Sequence, residues 1–555
     1  MDKSVIPPPP NPSTATPTNV LDIVRTLRAD VDRHEQLLEQ FMTSTATPAN
    51  VLDIVRTLRA DVDRHEQLLE QFMAFIQQCD PICKALPAWT PEERGGVVEL
   101  GRLNPKVRQI EKPQGTSRDI VSRIKATGLG KFYARCLKPC PPVRGLVNWI
   151  WRNTYPVYVN HIATLPRNRN AKQWRRLTQL GEFIKENGIP STRVADAAQV
   201  ETPAPRVFPA SDQGHLASPH DRYNFPRIQV AEIGAGMIYG GTNLVLTKDG
   251  VICHDLYDFE RDFTSEELHG RTLIDPGKNR IRWLLHDDSP ERLPVAAAFV
   301  DACATNYAHW LTEVLPRIAA FCAEEQFKDI PIVVNDGLHK NIMESLFLVT
   351  GEGREIITLP IGRALQVDAL YLTSVAGYVP FDRRNNKLQG HSHGVFSPRA
   401  FDLLSQQIAS IAENLPEKAW PEKIYLRRNS GARKVANSAV LEALLVDHGY
   451  VIVEPEKLSF LEQVQLFRNT TKIVSPTGAA LSNAIFCKPG TRVGVLMAKH
   501  ESMIYRYWAN MLSPLGIVVS YVLGDIVDDR SNGIHSDFDI DEKNVHELLE
   551  SWETK

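Results

Sequence analysis

The 555-residue chain has no apolar run approaching the ~18 residues that a membrane-crossing helix needs. Its start, Met1-Asp2-Lys3-Ser4, runs into prolines and lacks the charged-then-apolar order of a secretory signal. Cysteine is scarce, with eight in all. Neither Cys-x-x-x-Cys pair, Cys79/Cys83 or Cys136/Cys140, has histidines nearby at zinc-finger spacing. Free, scattered thiols of this kind fit a reducing cytoplasm, and no metal site is expected. Nor is there an excess of one charge: 63 basic against 66 acidic residues give a net charge of −3, so overall composition names no partner. At 43% hydrophobic residues the chain is globular and long enough for roughly two to four domains.

Against these absences stand three local concentrations. Residues 1–18 carry Pro7-Pro8-Pro9-Pro10, Pro12 and Pro17 and are expected to be a disordered lead. Residues 13–43 then recur as 44–74 with two changes, Thr18/Ala49 and Thr43/Ala74. Val20, Val24, Leu27, Val31, His34, Leu38 and Phe41 follow in alternating steps of four and three, the seam of a coiled coil. A single short helix is marginal in water, so 19–75 is expected to pair with itself or to gather subunits into a homo-oligomer. From Arg102 to Arg176 there are seventeen Lys and Arg against Glu111 and Asp119, interleaved with Trp149, Trp151, Tyr155 and Tyr158. Three readings of this 76–200 region stay open: contact with an anionic membrane surface, nucleic-acid binding, or a helical domain with solvated cations. Nucleic acid is the least expected, because no recognised nucleic-acid motif is present.

Residues 180–225 read as a linker, and Val230–His254 as a hairpin about Lys248-Asp249-Gly250. From Leu293 onward, β-branched runs alternate with helix-period runs, which predicts βαβ units and a parallel sheet. On the helix starting near Asn306, one stripe is Asn306, His309, Glu313 and Arg317. The other is Tyr307, Trp310, Leu311, Val314, Leu315 and Ile318. The second stripe is core. The first is an ordinary wet face or, if it lines a cleft, a base (His309) with an orienting carboxylate (Glu313). His391-Ser392-His393 falls in a polar loop and lacks a third metal ligand.

The last α/β stretch, Lys423–Leu496, places two unusual loops where strands should end. Arg427, Arg428, Arg433 and Lys434 supply four cations, and arginine forks match phosphate oxygens. After Val474, Thr477-Gly478-Ala479 leads into a short helix with Ser482 and Asn483 in its first turns, where backbone N–H groups can meet a diphosphate. Glu454, between the two loops, is placed to accept from ribose hydroxyls. Each feature also has a plain reading as a solvated loop, a tight turn or a strand-end carboxylate.

Tyr425–Asn437, Val453–Phe460 with Gln463, Ser475–Asn483, Phe486–Gly490 and Asn306–Trp310 with Glu313, Leu315 and Pro316 together resemble glycosyltransferase family 61, of the bacterial surface-polysaccharide type. The resemblance covers about 205–530. A histidine common in the family's donor loop is Thr477 here. The resemblance implies a GT-B-like architecture of two Rossmann-like halves, 201–420 and 421–530. After them, the acidic tail at 531–555 resumes helix period at Asn544–Trp552, and this terminal helix is expected to pack back across the first half. The resemblance also implies a nucleotide-sugar donor as substrate and transfer with inversion. The acceptor is expected to be a polysaccharide or lipid-linked glycan and no cofactor is expected, and the four cations with the helix start near Ala479 could neutralise the leaving group without a metal. The expected location is cytoplasmic or peripheral on the inner face of the membrane. Two other functions stay open: a membrane-associated scaffold that no longer turns over, and nucleic-acid binding through 102–176.

Overall fold

The computed structural model describes residues 106–111, 173–216, 222–287, 289–384, 387–391, 394–412, 418–429, 433–500, 506–528 and 536–553. The tandem repeat, its coiled-coil seam, both Cys-x-x-x-Cys pairs and most of the basic segment lie outside them. Among the described residues no helix is long and apolar enough to cross a membrane.

The described part of the chain is mixed α/β, built on two large sheets with three small ones beside them. In the first, the strand Glu291–Ala298 lies between Ile332–Asn335 and Ala364–Thr373, parallel to both. Glu355–Leu359 extends the parallel run beyond Ile332–Asn335, and Lys106–Gln109 adds a further parallel strand at the edge. From the central strand Glu291–Ala298 the chain first winds to one side and then returns to the other. That reversal leaves a crevice at the carboxyl ends of Glu291–Ala298 and Ala364–Thr373, the place where open α/β sheets hold ligands. A mixed extension completes the sheet, with Trp174–Gln179 parallel to Gly250–Cys253 and antiparallel to Arg280–Trp283. It includes Gly236–Tyr239, the hairpin of Val245–Leu246 with Gly250–Cys253, and Trp174–Gln179.

Residues 180–225 are not a linker. They form the helix Leu180–Glu186 and the strand Ser191–Ala195, which pairs with Ile228–Glu232 of the first sheet. Arg206–Phe208 then joins the second sheet beside Val518–Asp528. The proline and polar content that suggests a linker belongs here to short edge strands and turns, where a missing N–H costs little.

In the second sheet, Lys423–Leu426 lies between Val451–Val453 and Lys472–Pro476, again parallel to both, followed by Arg492–Ala498 and Val518–Asp528. The winding reverses between Lys423–Leu426 and Lys472–Pro476, so this sheet has its own crevice. Helices Ser438–Asp447 and Phe460–Asn469 make the crossovers, the latter opened by a capping box between Ser459 and Glu462. The terminal helix Glu542–Glu553 packs on this second sheet, not the first. Leu548 and Trp552 close over Gly494, and the carbonyl of Trp552 accepts from Arg492. Val545, Leu548, Leu549 and Trp552 recur at helical spacing and are all buried.

Candidate functional site

The helix after Glu291–Ala298 begins where Asn306 caps it, its side chain accepting from the Ala308 N–H at 3.0 Å. It does not run as a uniform α-helix. Trp310–Val314 is a π segment between α-helical Tyr307–His309 and Leu315–Cys322. Pro316 contributes to the irregularity: it has no N–H to give the carbonyl of Thr312, four residues back. That carbonyl points at Gly377, where an added Cβ would come within 2.2 Å of it. Only glycine allows this approach, and it brings the segment after Ala364–Thr373 against the helix.

Trp310, Leu311, Val314, Leu315 and Ile318 are fully buried. At about 1.5–3 kcal/mol per large side chain, this stripe fixes which way the helix faces. The other stripe, His309, Glu313 and Arg317, consequently lines a narrow cleft of about 40 Å³. The cleft sits at the crevice of the first sheet, with Asp301–Cys303 on one side and Val375–Pro380 on the other.

Glu313 Oε1 makes a short contact with His309 Nδ1, leaving Nε2 for a substrate. Burial works against the imidazolium, but the charge and hydrogen bond of Glu313, with Asp301 beyond, hold the His309 pKa above the ordinary histidine value. Burial raises the Glu313 carboxyl in turn, against the pull of His309. Arg317 is pulled down by burial, and its Nε has no hydrogen-bond partner among the described residues. Deeper in the cleft, burial and the nearby Asp301 push Glu266 up to about 7. His254 is lowered to about 3 by burial and by Arg317. Neither Glu266, His254 nor Asp301 stands out in the sequence, because strand pairing between distant segments brings them together.

At the second crevice the structure divides the four cations. Arg428 and Arg433 are together and partly buried. Arg428 is lowered to about 10 by burial and by the Arg433 charge, with Asp537 opposing, and Arg433 is lowered by burial. An added Cβ at Gly478 would lie 2.2 Å from Arg428 Nη1, so this guanidinium rests directly on the small-residue turn. Arg433 has a left-handed backbone, φ 58°, which turns its side chain inward while Lys434 faces solvent. The Lys434 N–H donates to Asp537 at 2.8 Å.

Arg427 is placed elsewhere. Its guanidinium grips Glu442 through both nitrogens, Nε at 2.9 Å and Nη2 at 2.5 Å, and reaches Glu454 at 3.4 Å. Glu454 is occupied in turn by Lys457 and by Asn429. Both side chains belong to a surface ion network on the flank of the crevice.

The turn itself differs from expectation. Ala479–Phe486 is a 3₁₀ helix, not an α-helix. With about three residues per turn it directs Ser482 and Asn483 into the protein, where both are completely buried. Asn483 donates to Gln463 at 2.7 Å and accepts from the Tyr307 hydroxyl at 2.7 Å, tying the helix of the first sheet to the second. Thr477 accepts from Trp508 Nε1 at 3.0 Å, so a residue outside the conspicuous motifs pins the turn. Beside it, Tyr507 lies within electrostatic reach of both Arg433 and Glu313 and hydrogen-bonds the Thr312 side chain, which connects the two crevices. Among the described residues, no group of three or more His, Cys, Asp or Glu is disposed to hold a metal.

Two parallel-core sheets, each with charged side chains at its crossover crevice, define a mixed α/β protein. Residues 307–494, which include His309, Arg428, Arg433 and Gly478, match the family Glycosyltransferase 61, and this match supports a glycosyltransferase. No curated protein matches the chain.

Proposed function

We propose that this chain is an inverting glycosyltransferase, moving a sugar from a nucleotide-sugar donor to a hydroxyl of a polysaccharide or lipid-linked glycan. One observation carries the reading: two half-buried, mutually repelling guanidiniums, Arg428 and Arg433, lie at a crossover crevice where Arg428 rests on the Gly478 turn. Keeping like charges together out of water is unfavourable, and a diphosphate bound between them and the turn would relieve it.

In the reaction the acceptor oxygen attacks the anomeric carbon as the bond from that carbon to the diphosphate oxygen breaks. His309 Nε2 takes the acceptor's proton, Glu313 holds the ring by Nδ1, and the nucleoside diphosphate leaves with the bonding electrons. Arg428 and Arg433 oppose the charge that grows on the leaving group. They supply that countercharge from side chains, so the rate is expected to be the same with or without EDTA.

The test is thermal stabilisation of the full chain by UDP, GDP, CDP and ADP, since a ligand of the native state raises apparent stability. At least one diphosphate should raise Tm. Arg433→Ala should weaken its affinity by about 30-fold, the equivalent of ~2 kcal/mol for a charge-assisted contact. If no diphosphate binds, or if Arg433→Ala binds equally well, the donor site is misassigned.

A further inference from the structure

A site drawn from two sheets is either closed around its ligands by a hinge or held ready before they arrive. Here the contact between the sheets is a core. One continuous cluster of buried side chains takes Trp310, Leu311 and Leu346 from helices of the first sheet and Phe460, Leu481 and Phe486 from those of the second. The helix Pro398–Ala412 bonds to both sides: Gln407 donates to the Ala319 carbonyl at 3.1 Å, and Gln465 donates to the Ala412 carbonyl at 3.5 Å.

Through this apolar contact runs a polar chain with every amide position in use. The Tyr307 hydroxyl donates to Asn483 Oδ1 at 2.7 Å, and Asn483 Nδ2 donates to Gln463 Oε1 at 2.7 Å and to the Ala480 carbonyl at 3.1 Å. Gln463 Nε2 donates in turn to the carbonyls of Pro455 at 2.9 Å and Leu458 at 3.2 Å. Burial pushes the Tyr307 phenol well above its ordinary range, so it stays a donor. Two further ties come from the first sheet's helix Lys340–Thr350. Asn341 Nδ2 donates to the Leu458 carbonyl at 3.0 Å, and the Glu344 carboxylate accepts from the Phe460 and Leu461 N–H groups at 2.9 and 3.2 Å. Apolar groups of the same shape would fill such a space about as stably. A fully satisfied polar network instead admits one register. Its ends are telling: Tyr307 shares a helical turn with His309, and Asn483 sits in the 3₁₀ helix that follows Gly478.

We infer that the two sheets do not open and close on each other during the reaction, and that Tyr307 is the positioning residue that keeps the Gly478 turn, with the diphosphate on it, in register with His309. The inference rests on the transferase reading and adds that its donor crevice is formed before the donor binds. Loss of the hydroxyl leaves Asn483 Oδ1 buried without its donor and frees the helix Ala479–Phe486 to shift. A displacement of ~1 Å between reacting groups costs about 100-fold in rate without removing any contact to the ligand.

The experiment is hydrogen–deuterium exchange of the full chain, with and without UDP, GDP, CDP and ADP. Diphosphate release from the corresponding nucleotide sugars, with water as the acceptor, is measured alongside. Amides of 456–463 and 481–486 should be protected in the ligand-free chain and should change by less than about threefold when a diphosphate binds. Tyr307→Phe, which keeps the ring, should exchange 481–486 at least ~10-fold faster and lower kcat by about 10- to 100-fold, with diphosphate affinity within about twofold. Thr470→Val is the control for simple loss of a buried hydroxyl, since Thr470 bonds the Leu466 and Pro421 carbonyls on the second sheet's side. It should leave both readouts within about twofold of wild type. Should Tyr307→Phe fail to fold, Asn341→Ala should quicken exchange in 456–463 by at least ~3-fold. Protection that appears only with diphosphate, a Tyr307→Phe effect no larger than that of Thr470→Val, a loss of affinity matching the loss of kcat, or unchanged exchange in the variant that folds would each overturn the inference. Protected amides in a chain that neither binds a diphosphate nor releases one would remove the transferase reading and leave the join between the sheets standing.

Discussion

At the crossover of the second sheet the walls are guanidiniums and bare backbone; at that of the first they are carboxylates, imidazoles and phenols. The topology at the two places is alike: a central strand flanked by parallel neighbours, with the chain reversing its winding between them. What differs is the side chains at the strand ends. The fold therefore provides two similar crevices, and the proposed function assigns the anion to one and the proton transfer to the other. Tyr507 and the Tyr307–Asn483–Gln463 chain link the two.

The sharpest way to test this division is to remove the proton acceptor alone. His309→Ala is expected to lower kcat by about 10³-fold, within the usual range for a general base, and to leave nucleoside-diphosphate affinity unchanged. An undiminished kcat removes His309 from the chemistry, and loss of diphosphate binding would mean that the crevices are not separate in function. The pH profile adds direction. Glu313 holds the His309 pKa above its ordinary value, and only the neutral ring can take a proton, so kcat/KM should fall as pH drops through that raised pKa. Glu313→Gln leaves burial as the dominant influence on the ring, and the acidic limb should move to lower pH. A limb that stays in place would assign it to another group.

A second, smaller effect separates the crevices by stability. The folded protein keeps His254 neutral down to about pH 3, whereas the unfolded chain protonates it near 6.5. Below pH 6.5 the unfolded state therefore binds more protons, and the stability that His254 contributes above that pH is lost as pH falls. Glu266 acts the opposite way, since its raised pKa makes the folded state the better proton binder between about 4.5 and 7. Comparing His254→Gln with wild type isolates the first contribution. The variant should lose less stability on acidification, by on the order of 1 kcal/mol for each pH unit below about 6. Parallel unfolding curves would mean that the ring is not held neutral.

The second crevice is the more legible in the sequence. Its strands are β-branched runs at regular spacing, and its loops are contiguous stretches of four cations and of small residues. The helix carrying His309 is legible as well, because the apolar stripe Trp310–Ile318 fixes the opposite face. Glu266, His254 and Asp301 are not. They come from separate strands and loops joined by non-local pairing that no short periodicity encodes. Ser482 and Asn483 mislead for another reason: an α-helical spacing of 3.6 residues exposes them to a ligand, and the 3₁₀ geometry of Ala479–Phe486 turns them inward. The terminal helix is amphipathic in sequence, but periodicity does not say which sheet its apolar face will cover.

The smallest expected effect comes from Arg427, and it tests whether proximity in sequence or placement in space decides function. Arg427 and Arg428 are adjacent, yet one grips Glu442 on the surface and the other rests on Gly478. A guanidinium held by two carboxylates brings little positive charge to the crevice, and exposed ion pairs of this kind contribute about 0.2–1 kcal/mol to stability. Arg427→Ala is accordingly expected to change nucleoside-diphosphate affinity by less than about threefold and to lower stability by no more than ~1 kcal/mol. The Arg433→Ala loss of about 30-fold is the reference. If isothermal titration gave equal losses for the two variants, Arg427 would have to leave Glu442 when the donor binds. The anion crevice would then be a surface assembled by its ligand, not one already formed at the strand ends.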